Sequence, residues 1–293
     1  MSDSTAPASV HSVPWTPRAV ALIGPGRAGT SVATALHDRG VRITAVAGRE
    51  PGAPSTVNAA VSLGARAASI PDVVRGSDLV VVATPDAAVE HTAAGIADAL
   101  EPGALVVHLS GAQGVGALAA IDARRCDVLV GALHPLQTLP SGPLGAARLE
   151  GAWAAVAGPP RVTELATFLG LRPFHVDDAD RAAYHAAACI AANHAAALLA
   201  QVQRVAAGAG VPLEAFEPLV RATVDNVFAL GPAAALTGPV ARGDVVTVAG
   251  HLDSLADDER DAYRALAAEA LRVAGGDDAM RSLLEQPHEV SPA

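Results

Sequence analysis

The chain has 293 residues, enough for one large or two modest domains. Its net charge of −10 argues against a general nucleic-acid binder, which needs a basic face. All 20 of its Lys-or-Arg positions are arginine, which excludes Schiff-base chemistry and lysine acid–base catalysis. Aromatics make up only 3% of residues, and much of the 51% hydrophobic content is alanine. That composition favours closely packed helices and α/β layers over an aromatic-rich β core. Two cysteines without a C-x-x-C pair suit a reducing, cytoplasmic setting rather than a disulfide framework. The N-terminus lacks the basic and apolar regions of a signal peptide.

Residues 1–17, rich in Ser, Pro, Ala and Thr, read as a loose tail. The apolar run Val20–Ile23 then leads into Gly24-Pro25-Gly26-Arg27-Ala28-Gly29, with a helix following to Asp38. The G-x-G-x-x-G spacing carries a mechanism. Gly24 permits a tight turn, Gly26 lets backbone approach a pyrophosphate, and Gly29 lets helix pack on strand. The helix N-terminus favours the phosphate charge. The second strand, Arg42–Ala47, has no acidic residue at its end to hold an adenosine ribose; Arg49 stands close by and suits a 2′-phosphate. The expected cofactor is NADP, with NAD less favoured. The glycine loop alone also admits a flavin or deazaflavin.

Further strands are expected near 65–68, 78–84, 103–109, 127–133, 151–157 and 172–176, with helices over 87–100 and 161–169. The strand ends carry Thr84-Pro85-Asp86, His108-Leu109-Ser110-Gly111 and His134-Pro135-Leu136-Gln137. In open α/β sheets ligands bind at that edge. From Asp180 a long helix to Ala209, roughly 45 Å at 1.5 Å per residue, places His185, Cys189 and Asn193 on one stripe. Its apolar section, 182–205, contains His185, Asn193 and Arg204 and is expected to be a buried helix rather than a membrane span. Helices from Pro212 to Leu230, from Asp244 through His251, and from Asp257 to Ala274 complete a helical region, with 277–293 as a second tail. Pro218 marks either a kink or a fresh helix start. The expected organisation is a doubly wound Rossmann domain over 18–178 and an all-α domain over 179–276, the latter binding substrate and pairing subunits. No histidine or carboxylate cluster has zinc spacing, and no metal site is expected.

With these motifs in place, the chain resembles the Rossmann-like proteins that carry the domain of unknown function 2520. They lie within the 6-phosphogluconate-dehydrogenase-like, pyrroline-carboxylate-reductase-like superfamily. The likeness covers about 18–275. It rests on the glycine loop, Ala83–Asp86, His108–Ala112, Leu133–Gln137, Tyr184–Ala187 with Asn193, and Ala235–Pro239 with Arg242–Asp244. It implies NADP-type cofactor binding, a C-terminal domain like that of 6-phosphogluconate dehydrogenase, and a homodimer. Related hydroxyacid dehydrogenases carry a catalytic lysine four residues before an asparagine; if that asparagine is Asn193, Cys189 occupies the lysine position here.

The expected function is NADPH-dependent reduction of a small carbonyl or imine compound, a keto acid such as ketopantoate among them. The alternative is a non-catalytic NADP-binding regulator or scaffold. Candidate proton donors are His185, His134 and Tyr184, with His185 favoured and Asn193 as its orienting neighbour. Ser110 is a candidate hydrogen-bonding group for substrate or cofactor. Tyr184, Gln137, Thr237 and Arg242 are candidate substrate contacts; Arg242 reads either as a carboxylate clamp or as a partner of Asp244. The candidate partners are a small-molecule substrate and a second copy of the chain, with neither nucleic acid nor membrane.

Overall fold

The computed structural model describes residues 15–276 and 278–285. The expected tail segments 1–14, 277 and 286–293 lie outside the described residues. The chain divides into two compact units, Met1–Ala192 and Asn193–Ala293.

The first unit is built on an eight-stranded sheet in the order β3-β2-β1-β4-β5-β6-β7-β8. The strands are β1 Ala19–Ile23, β2 Arg42–Ala47, β3 Arg66–Ala67, β4 Leu79–Val82, β5 Leu105–His108, β6 Leu129–Pro135, β7 Trp153–Ala157 and β8 Arg172–His175. All neighbours run parallel except β6 and β7, which are antiparallel. The helices of this unit are α1 Arg27–Asp38, α2 Pro54–Ser62, α3 Asp86–Ile96, α4 Ala119–Asp122, α5 Pro143–Ala147, α6 Pro160–Phe168 and α7 Arg181–Cys189.

Strands β1 and β4 are apolar at every position because both sheet faces are covered. Val20 and Leu22 of β1 enter one core layer, while Ala21 and Ile23 enter the other. Leu79 and Val81 of β4 alternate with Val80 and Val82 in the same way. Strand order reverses about β1, which pairs with β2 on one side and β4 on the other. This reversal creates the crevice at the carboxyl ends of the strands where such sheets bind ligands.

The expected helix through 182–205 needs correction in two respects. It contains a π-helical turn at Ile190–His194, between α7 and α8 Ala195–Gly208. It is also not buried: none of its most apolar 18-residue window lies inside the protein, although by length and composition it could cross a membrane. Only Arg181 in α7 and Ala206 in α8 are buried. Its alanines supply apolar character without the bulk that fills a core. The division between the units falls within the π turn, so Tyr184, His185 and Cys189 belong with the sheet.

The second unit continues with α9 Glu217–Leu230, α10 Pro232–Ala235, α11 Val245–Ser254, α12 Asp257–Ala274 and α13 Asp278–Glu285. Pro218 lies in the first turn of α9 and marks a fresh start after a 3₁₀ turn at Leu213–Phe216. Asp244 caps α11 by accepting the Thr247 N–H at 3.1 Å. Helix α13 replaces the irregular chain expected over 278–285. Its Met280 and Leu284 pack with Val248, Leu252, Ala267 and Leu271 in the core of this unit.

Candidate functional site at the carboxyl edge of the sheet

The glycine loop joins β1 to α1, and each of its three glycines has a different environment. Gly24 has φ +91°, and a β-carbon there would lie 2.5 Å from the backbone carbonyl carbon and oxygen of Ala83. A β-carbon on Gly29 would strike the Gly24 carbonyl oxygen. Gly26, the residue before the first turn of α1, would meet nothing within 4 Å. Two glycines are therefore required by the packing of β1, α1 and the end of β4, while Gly26 leaves open space at a helix N-terminus. That space, the helix dipole and the uncapped first turn fit a dinucleotide pyrophosphate. Pro25 and Ala28 are half-buried beside it, and Arg27 is exposed. Arg49 is exposed just beyond β2 and has no ion-pair partner among the described residues. Pro85 and Asp86 are exposed at the start of α3, and the buried Thr84 hydroxyl oxygen has no hydrogen-bond partner.

Beyond β5 the chain makes a rigid turn. The Ser110 N–H donates to His108 Nδ1 at 3.2 Å, so His108 Nε2–H donates to the Gly114 carbonyl at 2.9 Å. His108 is fully buried, and desolvation pushes its pKa below the usual 6.5, keeping the ring neutral. Ser110 is buried and its hydroxyl accepts the Gln113 N–H at 3.1 Å. Gln113 in turn donates its side-chain amide to the Asp86 carbonyl at 2.9 Å, tying the β4 and β5 ends together. Its own Oε1 is buried without a partner.

His134 stands near the end of β6. Its Nδ1 is 2.7 Å from the Tyr184 hydroxyl on α7, and the two rings meet edge to face. Phe174 of β8 packs against Tyr184 with ring centroids 5.8 Å apart, and Trp153 of β7 packs on Phe174. In a chain so poor in aromatics, this row fixes Tyr184 against the sheet. Burial, and then the His185 and Arg181 charges, lower the pKa of His134 to about 4. Burial raises that of Tyr184 to about 12. At neutral pH both are uncharged and share one hydrogen bond.

His185 packs edge to face on His134 with centroids 5.9 Å apart, and its Nε2 lies 3.8 Å from Cys189 Sγ. Gly111 runs between the two imidazoles: a β-carbon there would be 2.6 Å from His185 Cδ2 and 2.9 Å from His134 Nε2. His134 thus pairs more closely with Tyr184 than with His185. Asn193 is exposed in the π turn and belongs to the other unit. The wider π turn rotates it off the stripe that straight helical spacing implies. Gln137 is exposed and its Oε1 accepts the Thr138 N–H at 2.9 Å. Thr237 lines an apolar cavity with Phe216, Pro239, Val240 and Tyr263 in the second unit, where Arg242 is exposed. Among the described residues no group of three or more His, Cys, Asp or Glu could hold a metal ion.

Sequence reasoning passed over Arg181, Gln113 and Gly111. Gln113 interrupts an otherwise Gly- and Ala-rich segment, which is the signal that could have found it, whereas Arg181 at a helix start carries none.

The sheet order and the glycine loop define a Rossmann-type α/β protein. Residues 5–135 match the Rossmann-like domain model, and residues 150–270 match the domain of unknown function DUF2520. The chain thus combines a Rossmann-like domain with a DUF2520 region. It is similar to a protein from Bacteroides fragilis assigned as an NADP oxidoreductase, with TM-score 0.71, 23% identity, 92% of this chain and 98% of that one covered. A reductive aminase from Aspergillus terreus, in complex with NADPH4, cyclohexanone and allyl amine, has TM-score 0.55 and 20% identity over 92% of this chain and 91% of that one. An imine reductase from a Pseudomonas species has TM-score 0.55 and 19% identity, with 92% of each chain covered. At these identities the likeness shows the fold. A comparison with curated proteins finds no match.

Proposed function

We propose that this protein is an NADPH-dependent oxidoreductase that reduces a small carbonyl or imine compound. One observation carries the reading: the glycine loop, open only at Gly26, shares a sheet edge with the neutral His134–Tyr184 pair. The glycine loop and Arg27 would hold the pyrophosphate, and Arg49 the 2′-phosphate that distinguishes NADP from NAD. The cofactor, when bound, supplies a hydride. The chain itself must then deliver a proton to the substrate oxygen or nitrogen.

Tyr184 and His134 suit that role as a relay: as a proton leaves His134 Nε2, Nδ1 takes the Tyr184 hydroxyl proton, so the imidazole stays neutral and the phenolate left behind is reprotonated from solvent. With Tyr184 O–H donating to His134 Nδ1, the His134 Nε2–H, on the side of the ring that faces Gly111, is the donor. In the opposite arrangement the phenol is the donor. His185 backs the His134 ring, and Ser110 with Gln113 keeps the turn beside it rigid. The fold likeness to a protein assigned as an NADP oxidoreductase, a reductive aminase and an imine reductase supports the same chemistry. Keto acids such as ketopantoate belong among the substrates to try.

The helical unit is proposed to pair two copies of the chain. Helix α9 has no buried residue, and it leaves Phe228 87% and Leu219 64% exposed. The free cysteines Cys126 and Cys189 suit a reducing cytoplasm.

The test is NADPH oxidation, followed at 340 nm, against a panel of ketones, 2-oxo acids and cyclic imines. Oxidation above the buffer rate with at least one panel member supports the reading. Tight NADPH binding without turnover on any member would favour the scaffold alternative.

A further inference from the structure

Arg181, the first residue of α7, is the largest fully buried side chain among the described residues, at 1% exposure. Its Nε and both terminal nitrogens have no hydrogen-bond partner. An arginine cannot shed its proton to escape that position, and a buried guanidinium without acceptors is strongly unfavourable. Asp178, the carboxylate whose charge acts on Arg181, is spent elsewhere: it accepts the N–H groups of Val115 at 3.0 Å and Gly116 at 3.2 Å. The charge of Arg181 is felt at His108, His134 and Tyr184, the groups that line the strand-end crevice. Two more unpartnered buried atoms, Thr84 Oγ1 and Gln113 Oε1, stand at the same edge. Natural proteins pair their buried polar groups, so three side chains with orphaned atoms at one sheet edge mark a place completed by a ligand.

We infer that Arg181 is the anion receptor of the crevice and that the substrate carries a carboxylate beside its reducible C=O or C=N bond, as in 2-oxo acids and cyclic imino acids. A carboxylate supplies two acceptor oxygens in the plane of the guanidinium fork. Arg181 is buried, where such a contact is strongest. The substrate class rests on the reductase reading above, whereas the capture of an anion by Arg181 does not. Arg242, exposed in the other unit, is not needed for this role.

The experiment measures the melting temperature of the full chain without cofactor, during titration with 2-oxo carboxylates from pyruvate to 2-oxohexanoate and with the matching 2-oxo amides. Wild type, Arg181→Met and Arg181→Lys are compared. Without ligand, Arg181→Met melts at or above the wild-type temperature, because Met replaces an unpaired buried charge. At least one carboxylate raises the wild-type melting temperature, and its amide does not. Arg181→Met weakens the apparent affinity for that carboxylate by at least about tenfold, as a lost charge-assisted pair implies. Arg181→Lys keeps the preference for acid over amide at reduced affinity, since an ammonium cannot bind both oxygens in one plane. The inference is overturned if acids and amides behave alike throughout the series. It is also overturned if Arg181→Met keeps the response, or lowers the ligand-free melting temperature, which would make the arginine structural. Should Arg181→Met not fold, loss of the acid-over-amide preference in Arg181→Lys overturns it equally. NADPH binding, followed separately by its fluorescence, reports on the reductase reading alone.

Discussion

Replacing Gly26 by alanine separates cofactor approach from folding. Gly26 has φ −81° and ψ −172°, a backbone that any residue adopts, and its β-carbon would touch nothing. The loss of glycine's cap preference and the gain from a stiffer unfolded chain nearly cancel, so stability should change by less than about 1 kcal/mol. That corresponds to under about 4 °C in melting temperature. Gly24→Ala is the contrast. Its left-handed φ of +91° and the 2.5 Å approach to Ala83 should together cost about 2–5 kcal/mol, or roughly 5–15 °C. A methyl group at Gly26 would instead stand between α1 and a pyrophosphate. Losing one charge-assisted hydrogen bond of about 1.5–3 kcal/mol should weaken NADPH binding roughly 10- to 100-fold. Melting curves and NADPH fluorescence titration read the two effects independently. Wild-type affinity in Gly26→Ala, or melting as low as that of Gly24→Ala, would refute the assignment of the loop.

Arg49→Ala should weaken NADPH binding about tenfold and leave NADH binding within about twofold, since only the 2′-phosphate is lost; titration with both nucleotides checks it. The folded-state pKa of His134, about 4 against 6.5, means that the folded protein binds fewer protons than the unfolded chain between those values. This contribution to stability is complete above about pH 6.5 and is lost as pH falls toward 4, amounting to about 3 kcal/mol at most. Chemical denaturation across that range should show a shallower loss in His134→Gln than in wild type. Phe228→Asp should convert the proposed dimer to a monomer in light scattering, while leaving the NADPH affinity of the sheet unit unchanged.

The strands and the glycine loop could be read from sequence because two-sided burial writes itself as unbroken apolar runs, such as Leu79–Val82, and because each loop glycine answers a separate steric demand. The antiparallel turn into β7 could not be read, since apolar alternation carries no strand direction. The π turn at Ile190–His194 has no compositional mark in an alanine-rich helix, so Asn193 was aligned with His185 by a periodicity that the turn breaks. The proximity of His134, Gly111 and Tyr184 depends on three separate elements meeting, and single-residue spacing is silent on that. Arg181 was overlooked for a related reason. An arginine at the start of a helix reads as a solvated residue until its burial is seen.

The kcat for NADPH oxidation on a responding substrate, compared between wild type, Tyr184→Phe and His134→Ala, asks whether this pair supplies the proton. Loss of a positioned acid typically costs 10²- to 10⁴-fold. Both variants should lose roughly that much in kcat while keeping the wild-type affinity for NADPH. Turnover at the wild-type rate in both would place the proton donor elsewhere and contradict the chemistry assigned to this edge of the sheet.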